Sequence, residues 1–258
     1  MAEMLIQYFD ELLITMSILA VVVYVVLHFV TAGYGMMYNK RWGLTVNNRL
    51  GWVLMESPAF IVMFALWWTS GRRLEVVQMV MASLFLLHYF QRSFIFPMLI
   101  RGKGRMPWSI ILMGVVFNSI NAVIQGGWLF YVSLPDRYPV SWLCSSQFVL
   151  GVLIFFTGMA INIHSDSVIR HLRLPGDTCH YIPRRGMYRY VSSANYFGEF
   201  VEWIGFAILT WSWAGAVFAL WTFANLAPRA ETIHKRYCEE FGDEFRQLGL
   251  KRIIPFIY

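Results

Sequence analysis

Apolar runs long enough to cross a lipid bilayer recur along almost the whole chain, and they constrain its fold more than any other feature. A membrane-spanning helix needs about 20 mostly apolar residues. Such runs lie near residues 12–33, 51–69, 75–99, 108–132, 144–166, 193–213 and 214–230. Because backbone polar groups in a bilayer must be paired within their own segment, these runs fold as helices. The sequence therefore predicts an all-α integral membrane protein with seven transmembrane helices.

The composition leaves little room for a separate soluble domain. Charged residues make up 14% of the chain and hydrophobic residues 58%, whereas a soluble domain carries about 25% charged residues. We therefore expect one membrane domain over residues 1–258. The first apolar run is longer than the core of a secretory signal peptide, so we expect it to remain in the mature chain.

Basic residues predict the orientation of the bundle. Of the 21 Lys and Arg residues, 17 lie in segments that follow the first, third, fifth and seventh predicted spans. Short basic segments face the cytoplasm. This places the C-terminus in the cytoplasm and the N-terminus on the outer or lumenal side. A bacterial inner membrane and an endoplasmic reticulum both fit this topology.

The net charge and the cysteine spacing give no indication of nucleic-acid binding or of a metal site. The formal net charge of +6 follows from the topology, and no soluble basic patch indicates nucleic-acid binding. Cys144, Cys179 and Cys238 show no metal-binding spacing. We expect no metal site, and we expect Cys179 and Cys238 to be free thiols on the reducing side.

Ionisable side chains interrupt the predicted spans. Isolated in lipid, each charged group would cost about 2.5–3.5 kcal/mol on insertion scales. Carboxylates and one arginine nevertheless occur in or at the ends of several spans: Glu56, Arg92, Asp166, Glu199 and Glu202. A shared polar cavity toward the cytoplasmic side removes most of that cost. We therefore predict a ligand-binding cavity at this level.

Uncharged polar residues in the spans have a simpler interpretation. Asn118, Asn121 and Gln125 form a stripe that favours hydrogen bonding between helices. His88 and His164, taken singly, are typical of structural histidines that have a partner.

The segment at about 168–192 is expected to cover a cofactor, and residues 231–258 to form a cytoplasmic tail. Arginines are frequent in the first segment, and the Pro175-Gly176-Asp177 turn lies within it. Arginine is the preferred partner of phosphate oxygens, so a phosphate-bearing cofactor is indicated. No glycine-rich fingerprint follows a strand, which excludes a Rossmann fold as its holder.

Several stretches together resemble the steroid 5-alpha-reductase family. They are WVLMESP at 52–58, HYFQR at 88–92, GMAINIHSD at 158–166, LRLPGD at 172–177, YVSSANYFGE at 190–199, EWIG at 202–205 and IPFIY at 254–258. They extend over roughly residues 50–258, and INIHSD is the most specific of them.

The resemblance implies a seven-helix reductase that uses NADPH to reduce the 4,5 double bond of a 3-oxo-Δ4 steroid or a related lipid enone. It implies that Glu56 and Tyr89 contact the steroid 3-carbonyl. It also implies a set of cofactor-binding residues: Trp52, Arg92, Asn162, Asp166, Arg173, Asn195, Glu199, Arg229 and Tyr237. Donors aimed at the developing enolate oxygen stabilise it best where water is excluded. Tyr89 is such a donor, and Glu56 either donates as the neutral acid or orients Tyr89.

Two positions depart from the family pattern. Tyr181 precedes Ile182-Pro183 where a basic residue is common, and Arg184 and Arg185 follow instead. The histidine-rich stretch before Tyr237 is reduced to His234. These departures indicate that the cofactor contacts differ in detail there.

Two other functions fit a polar cavity in a helical bundle. One is an isoprenylcysteine-type membrane methyltransferase, which needs no carbonyl-polarising pair. The other is a lipid transporter in which the carboxylates relay protons.

Overall fold

The structure, a computed structural model, describes residues 2–33, 35–102, 104–172, 177 and 179–258. Its helices are α1 (Ala2–Gln7), α2 (Phe9–Phe29), α3 (Asn48–Thr69), α4 (Val76–Leu99), α5 (Trp108–Val132), α6 (Ser146–Arg170), α7 (Ala194–Thr210), α8 (Trp213–Phe241) and α9 (Asp243–Arg246). One small antiparallel sheet pairs β1 (Thr45–Asn47) with β2 (Arg105–Pro107). Over these described residues the chain is a helical bundle with one short two-stranded ribbon.

Five helices, α2 to α6, are long and apolar enough to cross a membrane. Their bounds lie within a few residues of the first five predicted spans. Helices α7 and α8 occupy the sixth and seventh predicted positions, but α7 is shorter and α8 carries a polar second half. The chain is an integral membrane protein; the count of seven spans and the orientation of the termini stay predictions.

Two local features go beyond the sequence analysis. Helix α8 runs unbroken through Pro228 to Phe241, so it joins the seventh predicted span, 214–230, to the first part of the predicted cytoplasmic tail. Alanines on both sides of Pro228 and charged helix formers after it sustain the helix. The segment at 168–192, which is expected to cover a cofactor, carries some local structure: a 3₁₀ turn forms at Gly186–Arg189 and Val191 pairs in parallel with Lys251.

Glycines bring α6 and α7 into backbone contact. A Cβ atom on Gly158 would lie 2.2 Å from the Glu202 amide nitrogen, and one on Gly198 would lie 2.4 Å from the Asn162 nitrogen. Such distances leave no space for a side chain, as at other close helix crossings in membranes. This crossing brings the polar residues of the two helices together.

We expect Gly198→Ala to destabilise the fold by about 1–3 kcal/mol, the usual cost of overpacking. Alanine is the better helix former by about 1 kcal/mol, so helix propensity alone would act in the opposite direction. The thermal unfolding midpoint in detergent measures the effect. Gly71→Ala is the matched control, because a Cβ there meets nothing within 4 Å. Equal midpoints for the two variants would contradict the close crossing.

Side-chain hydrogen bonds to backbone carbonyls connect the helices at the end of the bundle opposite the basic segments. The Tyr138 hydroxyl donates to the Thr210 carbonyl at 2.6 Å, and the Trp142 indole donates to the Leu209 carbonyl at 3.0 Å. Arg137 donates to the Trp211 carbonyl at 2.8 Å. These bonds satisfy the carbonyls at the end of α7, so the helix can end against the loop before α6.

Candidate active site

A π-helical turn shapes α4 where its polar residues lie. It spans Gln91–Ile95, beginning two residues after Tyr89, and Gln91, Arg92 and Ser93 in it are buried. Such a turn widens the helix and is frequent at functional sites. Tyr89 and Arg92, three residues apart, are both buried in the interior of the bundle.

The hydroxyl of Tyr89 is held between two amides of α5. It donates to Asn118 Oδ1 at 3.2 Å, and Asn121 Nδ2 donates to the hydroxyl oxygen at 3.3 Å. The residue is only 3% exposed. The phenol is therefore fixed in a water-poor site, where its hydroxyl both donates and accepts a hydrogen bond.

Asn118 also joins Tyr89 to Glu56. Its Nδ2 atom donates to the Met55 carbonyl at 2.8 Å and to Glu56 Oε2 at 3.3 Å. One amide thus bridges the two residues that were predicted to contact a substrate carbonyl. The structure brings these two residues to the same place, on facing sides of α3 and α4.

The amide stripe on α5 does bond between helices, as the sequence indicated. Gln125 Nε2, for example, donates to the Ala214 carbonyl of α8 at 2.9 Å. The sequence did not reveal that Asn118 and Asn121 also orient Tyr89. The spacing of three residues between Asn118 and Asn121 showed that they share one face of α5. It did not show which helix that face contacts.

A second polar centre surrounds Arg92. Its guanidinium lies 2.9 Å from Asp166 Oδ2 and 3.6 Å from Glu199 Oε2. It also lies over the ring of Trp52, 5.0 Å from the centroid, in a cation–π contact. Arg92 thereby connects residues of α3, α6 and α7, and all four had been predicted to bind a cofactor.

Two asparagines extend this centre along α6 and α7. Asn195 Nδ2 donates to Asp166 Oδ1 at 3.2 Å, and Asn162 Nδ2 donates to the Asn195 carbonyl at 2.9 Å. The buried hydroxyl of Tyr188 donates to Asn195 Oδ1 at 3.4 Å. The close crossing at Gly158 and Gly198 is what places these amides side by side.

The remaining predicted cofactor residues lie nearer the basic end. Arg229 Nε donates to the hydroxyl of Tyr196, the neighbour of Asn195. Tyr237 lies two helical turns further along α8, about 12 Å at 1.5 Å per residue. There it is buried against Phe241 and Phe245. Arg173, the ninth predicted residue, lies outside the described residues.

A buried pair that the sequence did not predict lies beside Tyr89. His88 Nδ1 and Glu202 Oε1 are 2.8 Å apart, and both side chains are almost completely buried. The imidazole also packs on Trp203, with ring centroids 4.5 Å apart. His88 thus has the partner that the sequence analysis expected; its structural role stays a prediction. The structure gives Glu202 this partner, whereas the sequence had suggested only a shared cavity.

Charges at the basic end connect three segments through Glu231. Its carboxylate lies 3.3 Å from His28 Nε2, 3.1 Å from Lys235 Nζ and 3.9 Å from Arg252. Partial burial opposes ionisation of Glu231, yet Lys235, Arg252 and His28 hold its pKa below the ordinary value. Burial, with the Arg252 guanidinium nearby, lowers the pKa of His234.

The chemistry of the Arg92 centre suits a polar cofactor. Amides, carboxylates and a guanidinium are the groups that bind the carboxamide and hydroxyls of a nicotinamide nucleotide. Among the described residues, the buried hydroxyls of Ser165 and Ser193, neighbours of Asp166 and of the α7 start, have no hydrogen-bond partner. Buried polar atoms are usually paired, so these two unpaired hydroxyls fit a region that holds a further polar group.

Apolar helices that enclose such polar groups are typical of integral membrane proteins with a functional polar interior. The sequence profile of the family described as 3-oxo-5-alpha-steroid 4-dehydrogenase matches residues 104–258. A steroid 5-alpha-reductase DET2 of Gossypium hirsutum is 37% identical over 97% of each chain. The 3-oxo-5-alpha-steroid 4-dehydrogenase 1 of Bos taurus is 38% identical over 93% of each chain. The human protein of that name is 38% identical over 83% of this chain and 82% of its own. The chain therefore belongs to the steroid 5-alpha-reductase family.

Proposed function

We propose that the protein is an NADPH-dependent reductase that converts a 3-oxo-Δ4 steroid, such as testosterone or progesterone, into its 5α-dihydro product. The supporting observation is the Tyr89 hydroxyl, which two amides hold beside Glu56 and near the Arg92 centre. A carbonyl-polarising pair of this kind serves enone reduction. It serves neither methyl transfer nor lipid transport.

Tyr89 acts as the donor to the steroid 3-oxygen. Negative charge develops on this oxygen as the enone is reduced, and a fixed donor stabilises it strongly in a site that excludes water. Asn121 donates to the Tyr89 oxygen at 3.3 Å, which leaves the phenolic hydrogen free to be donated. In the absence of substrate this hydrogen points to Asn118 Oδ1, 3.2 Å away.

Glu56 supports the same oxygen in one of two ways. As the neutral acid it is a second donor to the carbonyl. As the carboxylate it accepts a hydrogen bond from Asn118 Nδ2 and so orients this amide, whose Oδ1 atom accepts from the Tyr89 hydroxyl. Both roles keep the donors at a fixed position before substrate arrives, which is the basis of electrostatic preorganisation.

The cofactor is assigned to the described residues around Arg92 and along the basic end of the bundle: Trp52, Arg92, Asn162, Asp166, Asn195, Glu199, Arg229 and Tyr237. Arg173, which lies outside the described residues, is assigned to it from the family resemblance alone. The chemistry that NADPH supplies when bound is a hydride for C5 of the steroid. The residues themselves would orient the nicotinamide amide, and the surrounding apolar helices would keep water away from it.

A basic cleft supports NADPH as the nucleotide. Its volume is about 400 Å³, and its polar lining consists of Ser167 with two histidines and two arginines: His164, His171, Arg184 and Arg185. None of its lining residues is a carboxylate. Guanidinium groups bind phosphate through paired hydrogen bonds, so this cleft suits the extra phosphate that distinguishes NADPH from NADH.

Ligand-dependent stabilisation of the purified protein tests this assignment. A ligand at 100 times its dissociation constant stabilises the folded state by about 2.7 kcal/mol. We expect NADPH to raise the thermal unfolding midpoint clearly, NADH to raise it less, and S-adenosylmethionine to leave it unchanged. Arg185→Gln should narrow the difference between NADPH and NADH without changing the midpoint of the ligand-free protein.

Stabilisation by S-adenosylmethionine but not by NADPH would overturn the assignment in favour of methyl transfer. Equal stabilisation by NADPH and NADH would leave the reductase in place but remove the phosphate site from the basic cleft.

A further inference from the structure

Residues 254–257 form a closed turn outside the candidate active site around Tyr89 and Arg92. The amides of Ile253 and Ile254 both donate to the Tyr258 carbonyl oxygen, at 2.9 and 2.8 Å, and the Tyr258 amide donates back to Ile254 at 3.0 Å. Phe256 has φ of +65°, a left-handed conformation that bulky side chains disfavour. The turn thus holds Phe256 in a costly conformation in which its side chain points away from the protein.

The turn exposes two large apolar side chains side by side. Phe256 is 78% exposed and Ile257 is 76% exposed, whereas Ile253 just before them is completely buried. One edge of Phe256 meets the ring of Tyr190, with centroids 5.4 Å apart. Adjacent exposed apolar side chains usually mark a surface that contacts a partner or a membrane.

The position of the turn along the apolar helix α2 indicates that this partner is the membrane. Ile254 and Tyr258 pack in one apolar cluster with Tyr24 of α2 and Phe223 of α8. Tyr24 lies five residues before the end of α2, about 7.5 Å inside it at 1.5 Å per residue. Its neighbours Val25 and Val26 are about half exposed and belong to the apolar span. The turn therefore lies beside the lipid-facing surface of α2.

The charges around the turn match a membrane interface. Lys251 is exposed, and Arg252 lies over the Tyr258 ring with its guanidinium 4.8 Å from the centroid. Basic residues at the edge of an apolar surface attract anionic headgroups, and aromatic residues favour the same level of the bilayer.

We propose that the turn at 254–257 is a membrane anchor that inserts Phe256 and Ile257 into the leaflet at the basic end of the bundle, with Lys251 among the headgroups. This interaction surface is distinct from the steroid and cofactor sites.

The anchor is connected to the candidate active site, because the residues just before the turn form backbone hydrogen bonds with the segment before α7. Ser192 and Ser193 donate to the carbonyls of Lys251 and Arg252 at 2.8 and 3.1 Å, and Lys251 donates to Tyr190 at 3.0 Å. Asn195 follows two residues later and contacts Asp166. Lipid contact at the turn thereby helps to hold the start of α7 in place.

Spin-label accessibility tests the anchor in the full chain. Cys144, Cys179 and Cys238 are replaced by serine, and a nitroxide is attached at Phe256→Cys or, separately, at Ile257→Cys. Val26→Cys provides a lipid-level control. Asp243→Cys provides an aqueous control, because its side chain is 83% exposed beyond α8. Each protein is reconstituted in nanodiscs of phosphatidylcholine and phosphatidylglycerol and measured with oxygen and with a water-soluble nickel complex.

We expect labels at 256 and 257 to collide several times more with oxygen than with the nickel complex, as the label at 26 does. The label at 243 should show the reverse. A nickel accessibility at both 256 and 257 equal to that at 243 would overturn the proposal. Dipolar broadening between labels at 256 would overturn it too, because it would show that a second copy of the chain covers the turn. Using two positions keeps the test valid if one variant fails to fold.

Discussion

Tyr89→Phe is expected to reduce turnover of a 3-oxo-Δ4 steroid by about 100- to 1,000-fold, the usual loss when one oxyanion donor is removed. The ring still packs in the same aromatic cluster, against Phe85 and Trp203, so the fold should be kept. The hydroxyl contacts Asn118 and Asn121 rather than the Arg92 centre. NADPH binding should therefore stay unchanged while kcat falls.

Steady-state kinetics with NADPH and testosterone, together with NADPH-dependent stabilisation, check this result. Tyr131→Phe is the matched control, because it removes a hydroxyl that contacts Thr69 and the Leu66 carbonyl at the other end of the bundle. Turnover in Tyr89→Phe close to that of Tyr131→Phe would show that Tyr89 is not the donor to the carbonyl.

Arg92→Gln should have the largest effect on stability. Breaking a buried ion pair by removing one partner costs about 3–5 kcal/mol, since the other charge is left buried and alone. Asp166 faces Arg92 with almost no exposure, and Glu199 lies close to the same guanidinium. We expect a much lower unfolding midpoint and no stabilisation by NADPH, because the same residues are assigned to the cofactor.

Two further variants show whether the buried charge is the cause. Arg92→Gln combined with Asp166→Asn removes both charges and should recover part of the lost stability. Arg184→Gln removes an arginine from an exposed pair with Glu244 and should change the midpoint little, as is usual for surface pairs. An unfolding midpoint for Arg92→Gln equal to that for Arg184→Gln would contradict the buried centre.

Much of the fold could be predicted from the sequence because the hydropathy of a membrane helix is a local property. The fourth predicted span, 108–132, coincides with α5, and the first five spans match helices to within a few residues. Helix α8 continues beyond the seventh predicted span, 214–230, because a proline removes only one backbone hydrogen bond, and favourable flanking residues sustain the helix.

The candidate site was predictable in part. Carboxylates and amides in apolar spans indicate a cavity, and the family resemblance assigned their roles. The partner of each one depends on which helix faces meet, and that is set by close crossings such as the one at Gly158. The pairing of His88 with Glu202 and the bridge from Asn118 to Glu56 and Tyr89 connect residues far apart in the chain. No local pattern encodes such pairs.

The most direct test of the proposed reaction follows deuterium into the product. The purified protein is incubated with testosterone and with NADPH that carries deuterium at both C4 positions of its nicotinamide ring. The steroid recovered should be the 5α-dihydro product with one deuterium at C5 and a hydrogen from water at C4. Recovery of unreduced testosterone, or of product with deuterium at C4 and none at C5, would contradict the proposed function.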